Sequence, residues 1–191
     1  VHSCDIFFYK SGLSLTVDAI AKYAEAFGFG DPTGIDLPGE KGGHVPTRAW
    51  KERLFHMPWF PGNTVQFSIG QGYLISTPLQ LANAYSAFAN GGTLWVPRLA
   101  DAVLDERGRE AKSFEPDPKA QVTLPGGHRD AVMAGLRGAI VDEEGTAGPA
   151  FAGFPNQAVR VAGKTGTAQV SRRQDTSLFA AVVPYDSPRY V

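Results

Sequence analysis

An α+β fold is predicted by the order of the patterned segments. Apolar residues at helical spacing dominate the middle of the chain, and strand-like runs come towards its end. The strand-like flanks Val159–Ala162 and Ala168–Val170 enclose a polar centre, and Ser177–Val183 follows as a second strand expected to pair antiparallel with the first. The 191 residues are 43% hydrophobic and 19% charged, which suits one domain or slightly more with a sizeable core.

Taken in order, Ser3-Cys4-Asp5 precedes the apolar run Ile6–Tyr9. Serine and aspartate are natural helix caps, because their oxygens accept from the free amides of a first turn, so capping is the simplest role for this triplet. A helix is expected from about Ser14 or Thr16 to Phe27, with Val17, Ile20, Ala21 and Ala24 on one face and Gly28 and Gly30 ending it. A turn-rich segment follows through Asp31-Pro32-Thr33-Gly34, Pro38-Gly39 and Gly42-Gly43. Pro46–Trp50 reads as the start of a short helix, with Pro58 and Pro61 breaking what comes next. In Phe67–Gly72 the glycines around Gln71 imply a tight backbone path, either a plain turn or a close approach to a ligand.

Thr77-Pro78-Leu79-Gln80 combines a threonine cap, a proline in the first turn and a glutamine three residues after the cap, which predicts a capping box. Leu81, Tyr85 and Phe88 form the expected buried stripe, and Gly91-Gly92 ends the helix. Leu94–Leu104 is strand-like but interrupted by Pro97, and Asp105–Pro118 reads as an exposed hairpin or loop. A further helix is predicted over His128–Val141, burying Val132, Leu136 and Ile140, with Asp142-Glu143-Glu144 as its solvated end. Gly145–Pro149 reads as loop, and a polar turn around Ser171–Thr176 joins the two final strands.

Several function classes are disfavoured. A formal net charge of −1 gives no case for nucleic acid or an anionic membrane surface. No window approaches the roughly 18 consecutive apolar residues of a membrane span, and no signal peptide is present. Cys4 is the single cysteine, and His2, His44, His56 and His128 are scattered, so neither an internal disulfide nor a metal site is expected. Val1 opens on sequence of mid-domain character and Pro188–Val191 ends as a strand begins, so the expectation is a piece incomplete at both ends.

The chemistry centres on Val161–Val170, where Lys164-Thr165-Gly166-Thr167 is set in a strand. On an edge strand this run offers an ammonium, two hydroxyls and unpaired backbone amides, a set suited to a ligand with a carboxylate and a carbonyl. A solvated lysine that blunts strand pairing is the bland alternative. A phosphate loop is the sharper one, since Gly163-Lys164-Thr165 ends like that motif. It fails because Ala158 stands where glycine is needed and the residues after Thr165 make a poor first helical turn.

With Ser3-x-Asp5 and Lys164-Thr165-Gly166 both in view, the chain resembles the transpeptidase domain of class B penicillin-binding proteins, in particular their penicillin-binding protein 2 branch. Supporting stretches are Thr33–Leu37, Pro46–Trp50, Ile69–Gly72, Thr77–Gln80 and Lys164–Gln169. Each is weak alone; their joint order is specific and spans essentially the whole chain. The resemblance implies the penicillin-binding protein/β-lactamase-like fold, an antiparallel sheet flanked by helices with a helical subdomain, and makes residues 1–191 the C-terminal portion of that domain.

The implied activity is D,D-transpeptidation through a serine acyl-enzyme, on peptidoglycan stem peptides ending in D-alanyl-D-alanine, with β-lactams as inhibitors and no cofactor. Ser3 would relay protons, Asp5 would position the partner lysine, and Lys164 would hold a positive potential beside Ser3. Thr165 and Thr167 would bind the substrate carboxylate, while the Thr167 amide, with Gly166 permitting close approach, would serve the oxyanion. Resemblance also implies a polytopic shape-elongation glycosyltransferase as partner, and a cell-membrane location with this domain on the periplasmic side, held by an anchor outside these residues. A β-lactam-sensing domain, a D,D-carboxypeptidase or a β-lactamase of the same fold would share the acylation step. The family's nucleophile lies in S-x-x-K, and no serine here has a lysine three positions later. That motif is expected upstream of Val1, so residues 1–191 alone are expected to be inert.

Overall fold

The computed structural model of the chain describes residues 1–170 and 174–191. The predicted turn at Ser171–Thr176 therefore falls partly outside the described residues.

Helix α1, Asp5–Ala26, is two helical segments divided at Thr16, whose φ of 73° and ψ of 160° leave the helical region. Its second half is the helix expected from the spacing of Val17, Ile20, Ala21 and Ala24. Its first half, over the apolar run, leaves Ile6, Phe7, Phe8, Leu13 and Leu15 exposed. Gly28 and Gly30, at φ of 88° and 94°, carry the chain away from the helix in a conformation that suits glycine.

Helix α2, Arg48–Phe55, starts on Thr47, whose hydroxyl accepts from the Trp50 amide at 3.1 Å. Pro61 opens a helix rather than breaking one, because helix α3, Pro61–Phe67, uses it in a first turn whose amides need no partner. The α2–α3 junction is held by a buried lysine, Lys51, which donates to the Pro58 carbonyl at 2.9 Å and Asn63 Oδ1 at 2.6 Å.

Helix α4, Pro78–Ala89, has the predicted capping box. Thr77 Oγ1 accepts from the Gln80 amide at 3.1 Å and Gln80 Oε1 from the Thr77 amide at 2.9 Å. Gln80 is itself buried, and its amide nitrogen donates to the carbonyls of Asp31 (2.9 Å) and Gly42 (2.7 Å), pinning the turn-rich segment onto α4. The face that packs deepest is Gln80, Ala84, Ala87 and Ala89. The predicted stripe of Leu81, Tyr85 and Phe88 is only half-buried, beside Phe27, Phe29, Val132 and Leu136. Small side chains let α4 approach its neighbours closely, and that approach outranks aromatic bulk in setting the buried face.

Strand β1, Thr93–Trp95, pairs antiparallel with β4, Pro118–Gln121, a strand the sequence pattern does not signal. Strands β2, Ala102–Leu104, and β3, Glu110–Ser113, form the hairpin expected in the polar stretch. Helix α5, His128–Val141, has the predicted bounds, but its buried residues are Met133, Gly138, Ala139 and Ile140, while Val132 is half exposed. Gly145 and Thr146 precede a short 3-10 turn, Gly148–Phe151.

Strand β5, Ala162–Ala168, pairs antiparallel with β6, Thr176–Val182, with Lys164 opposite Ala180 and Thr167 opposite Ser177. The core has three parts. Val17, Ala21, Val45 and Phe67 join α1 to α3. Ala89, Met133, Ala162 and Val182 pack α4 and α5 on the β5–β6 ladder. Ile140, Ala147 and Val161 extend that layer past the 3-10 turn. A helical body thus stands beside a helix-backed ladder.

Candidate active site

Between these bodies lies a groove of about 530 Å³. One wall is the beginning of α1 with Ser3, Asp5 and Phe8; the other is β5 with Lys164, Thr165, Gly166 and Thr167; its floor includes Ser68, Ile69 and Gln71. All six residues singled out from the sequence therefore line one cleft.

The central contact joins residues 161 positions apart: Lys164 Nζ donates to Ser3 Oγ at 2.6 Å. Lys164 also reaches the Thr165 carbonyl at 2.9 Å, Thr165 Oγ1 at 3.2 Å and Thr146 Oγ1 at 3.4 Å. Burial holds its pKa below the ordinary lysine range, since a partly desolvated ammonium is less favoured. Among the described residues it forms no ion pair.

Ser3 does not cap α1. The cap position is Cys4, with no side-chain hydrogen bond, and Asp5 is the first helical residue. Ser3 instead adopts a left-handed φ of 50° that turns its hydroxyl to Lys164. Such a conformation costs a non-glycine residue about 1–2 kcal/mol, so it points to a constraint beyond local propensity. Gly12 lets this wall stand where it does, because a β-carbon there would collide with Ser68 Cβ at the end of α3.

On the opposite wall two glycines behave differently. A β-carbon at Gly163 would meet the Ala180 carbonyl at 2.7 Å and Phe179 Cζ at 2.8 Å, so the ladder requires glycine there. One at Gly166 would meet only its cross-strand partner Leu178, at 3.7 Å, so no contact within the chain demands glycine at that position. The Gln71 side chain bridges the groove floor and this wall, donating from Nε2 to the Thr167 carbonyl at 3.3 Å. Gly70 and Gly72, at φ of 77° and 78°, make the tight path that presents it. Of the two alternatives open in the sequence, the tight turn is present, and it places Gln71 at the groove.

Thr146 carries no signal in the sequence, yet its hydroxyl accepts from Thr165 Oγ1 at 3.0 Å. A short loop residue has no periodicity to mark it; only the tertiary structure brings it to the lysine. Among the described residues no group of three or more His, Cys, Asp or Glu side chains is placed to hold a metal ion. Among the described residues the groove is lined by one cation, Lys164, and by the hydroxyl residues Ser3, Ser68, Thr165 and Thr167, a set suited to gripping a carboxylate.

Comparisons with known proteins identify the family and the fold. The sequence profile of the family described as "Penicillin binding protein transpeptidase domain" matches residues 1–191. The peptidoglycan D,D-transpeptidase MrdA of Escherichia coli K12 is 32% identical over 202 residues, covering 98% of this chain and 31% of the relative. The chain thus spans about a third of the length of the curated relatives it matches. A crystal structure of Pseudomonas aeruginosa PBP2 in complex with WCK 5153 superposes with a TM-score of 0.81 at 34% identity, over 97% of this chain and 40% of that one. Helicobacter pylori PBP2, in its complex with MreC, gives 0.82 at 30% identity, over 99% of this chain and 33% of that one.

Proposed function

We propose, from the premise that this chain belongs to the penicillin-binding protein transpeptidase family, that it forms the proton-relay and carboxylate-binding walls of a peptidoglycan D,D-transpeptidase site. The observation that carries the reading is the 2.6 Å hydrogen bond between Lys164 and Ser3, closed across 161 residues in a groove also lined by Thr165 and Thr167.

In this reading the nucleophile is a serine of an S-x-x-K segment outside residues 1–191. Its oxygen attacks the carbonyl carbon between the two terminal D-alanines of a stem peptide, and its proton passes to the lysine of that segment. Asp5, at the start of α1, positions that lysine. The Thr167 amide faces the developing oxyanion, and one such donor is worth on the order of 3 kcal/mol in the transition state. As the C–N bond breaks, Ser3 relays a proton to the departing D-alanine amine, with Lys164 keeping the region positive. The hydroxyls of Thr165 and Thr167 hold the terminal carboxylate. An amine from a neighbouring stem then attacks the ester, forming the crosslink and returning the serine. A β-lactam enters by the same first step.

The protein that contains this chain is, on the same reading, a bacterial cell-wall enzyme anchored in the membrane with the groove on the periplasmic side. Among the described residues no helix is long and apolar enough to cross a membrane, so the anchor belongs to another segment. A polytopic glycosyltransferase of the elongation machinery is the proposed partner. The test is labelling by a fluorescent penicillin. The longer protein with the S-x-x-K serine is expected to become covalently labelled, and residues 1–191 alone are not. Label on the isolated chain would place the nucleophile within it and overturn the assignment. Incubation with a D-alanyl-D-alanine peptide and an acceptor amine should yield the crosslinked amide; release of D-alanine with no amide at any amine concentration would make the enzyme a hydrolase.

A further inference from the structure

We infer that Thr146 is a positioning residue of this site, holding the Thr165 hydroxyl and the Lys164 ammonium in register with each other. The inference rests on the transpeptidase reading above and goes beyond it, because Thr146 lies outside every sequence motif that supports that reading.

The geometry is specific. Thr146 Oγ1 accepts from Thr165 Oγ1 at 3.0 Å and lies 3.4 Å from Lys164 Nζ. It therefore sits against one hydroxyl that would hold a substrate carboxylate and against the ammonium that keeps the region positive. Lys164 has three protons for four oxygen neighbours, so two of these oxygens share a donor, and Thr146, at 3.4 Å, is the most distant of the four. With its proton resting on Thr146 and its lone pairs towards the ammonium, Thr165 has its rotamer fixed before anything binds; an arriving carboxylate takes that one proton in place of Thr146, which stays beside the ammonium.

The backbone around Thr146 is built to keep its hydroxyl there. Gly145 is pressed onto α5, where a β-carbon would stand 2.6 Å from the Gly138 carbonyl and 2.7 Å from that of Ala139. Ala147 donates its amide to the Ala139 carbonyl at 2.8 Å and is buried with Ile140 and Val161. The same loop reaches the other wall, since the His2 ring lies 3.1 Å from the Glu144 carbonyl, one residue before Ser3. Its neighbours anchor the loop, while Thr146 itself is exposed and faces β5. A purely structural role is thus discharged by the flanking residues, which leaves the hydroxyl to the site.

The experiment compares second-order penicillin acylation rates of the longer, S-x-x-K-containing protein with those of its Thr146→Val, Thr146→Ala and Thr146→Ser variants. Valine keeps the shape and removes the acceptor, and the expected loss is about five- to tenfold, as for one neutral hydrogen bond. Alanine should lose as much, which guards against a misfit of valine. Serine should restore the rate to within about twofold of the parent, with the thermal midpoints of all four proteins alike. Parental rates in the valine and alanine variants, or a serine variant as slow as valine, would overturn the role of Thr146. A parent that is not acylated at all would overturn the transpeptidase reading itself, and this inference with it.

Discussion

The two walls of the groove are held in place by unlike means. Lys164, Thr165 and Thr167 belong to a seven-residue ladder whose register is fixed by pairing along its whole length and by the buried Val161, Ala162 and Val182. Ser3 precedes a helix that no side chain caps, in a left-handed conformation, beside a half-helix with an exposed apolar face. The strand wall would keep its geometry if Ser3 were removed. The Ser3 side chain takes its place from the contact with Lys164. One wall is therefore a template and the other is fitted to it, which is how a strained residue persists where the surroundings over-determine it.

Four experiments on the longer protein proposed above to carry the S-x-x-K serine press on this asymmetry, beginning with the largest effect. Lys164→Ala removes the template's charge and the anchor of Ser3 together. Penicillin acylation is expected to fall on the order of a thousandfold, with circular dichroism unchanged; a fall below tenfold would deny Lys164 its role. Ser3→Gly should cost about a hundredfold in the same assay. Glycine adopts the required φ without strain, so the thermal midpoint should hold or rise. A clear drop in stability would mean that Ser3 supports the fold after all.

Gly163→Ala addresses the template directly, because the added carbon meets the Ala180 carbonyl and Phe179. Overpacking of this kind costs about 1–3 kcal/mol, read from urea unfolding. Equal stability would show the ladder to be softer than its register implies.

The smallest effect is on pH dependence. Burial depresses the Lys164 pKa, so its proton is lost at lower pH than that of a solvated lysine. The alkaline limb of acylation should accordingly lie below the ordinary lysine range, and Lys164→Arg, slower overall, should lose that limb. Among the described residues Asp5, from α1, is the other charged side chain lining the groove. For stability the sign is the reverse of a favourable ion pair. The unfolded lysine holds its proton more firmly than the folded one, so this group's cost is full below the folded pKa and disappears as pH rises through the unfolded one. An alkaline limb at the position of an exposed lysine would argue against the burial.

Much of this was legible in the chain because the decisive signals are local. The Thr77–Gln80 box, the bounds of α5 and the glycine stops depend on residues within one or two turns of each other. The buried face of α4 was less legible, since an Ala-rich side chosen for close approach looks weaker than a row of Leu, Tyr and Phe. Strand β4, over Pro118–Gln121, is exposed and polar, so no alternation marked it. Pro61 reads equally well as a breaker and as a first-turn residue. Within the site, the resemblance to a known family pointed to Ser3, Asp5 and Lys164–Thr167, whereas Thr146 is defined by a fold-back that no local pattern encodes.

The company kept by Lys164 has a consequence for whatever arrives. Its neighbours are hydroxyl and carbonyl oxygens, and none of them carries a formal charge. A visiting anion need displace no carboxylate from these direct contacts, and it meets a cation already dehydrated in part and already aimed.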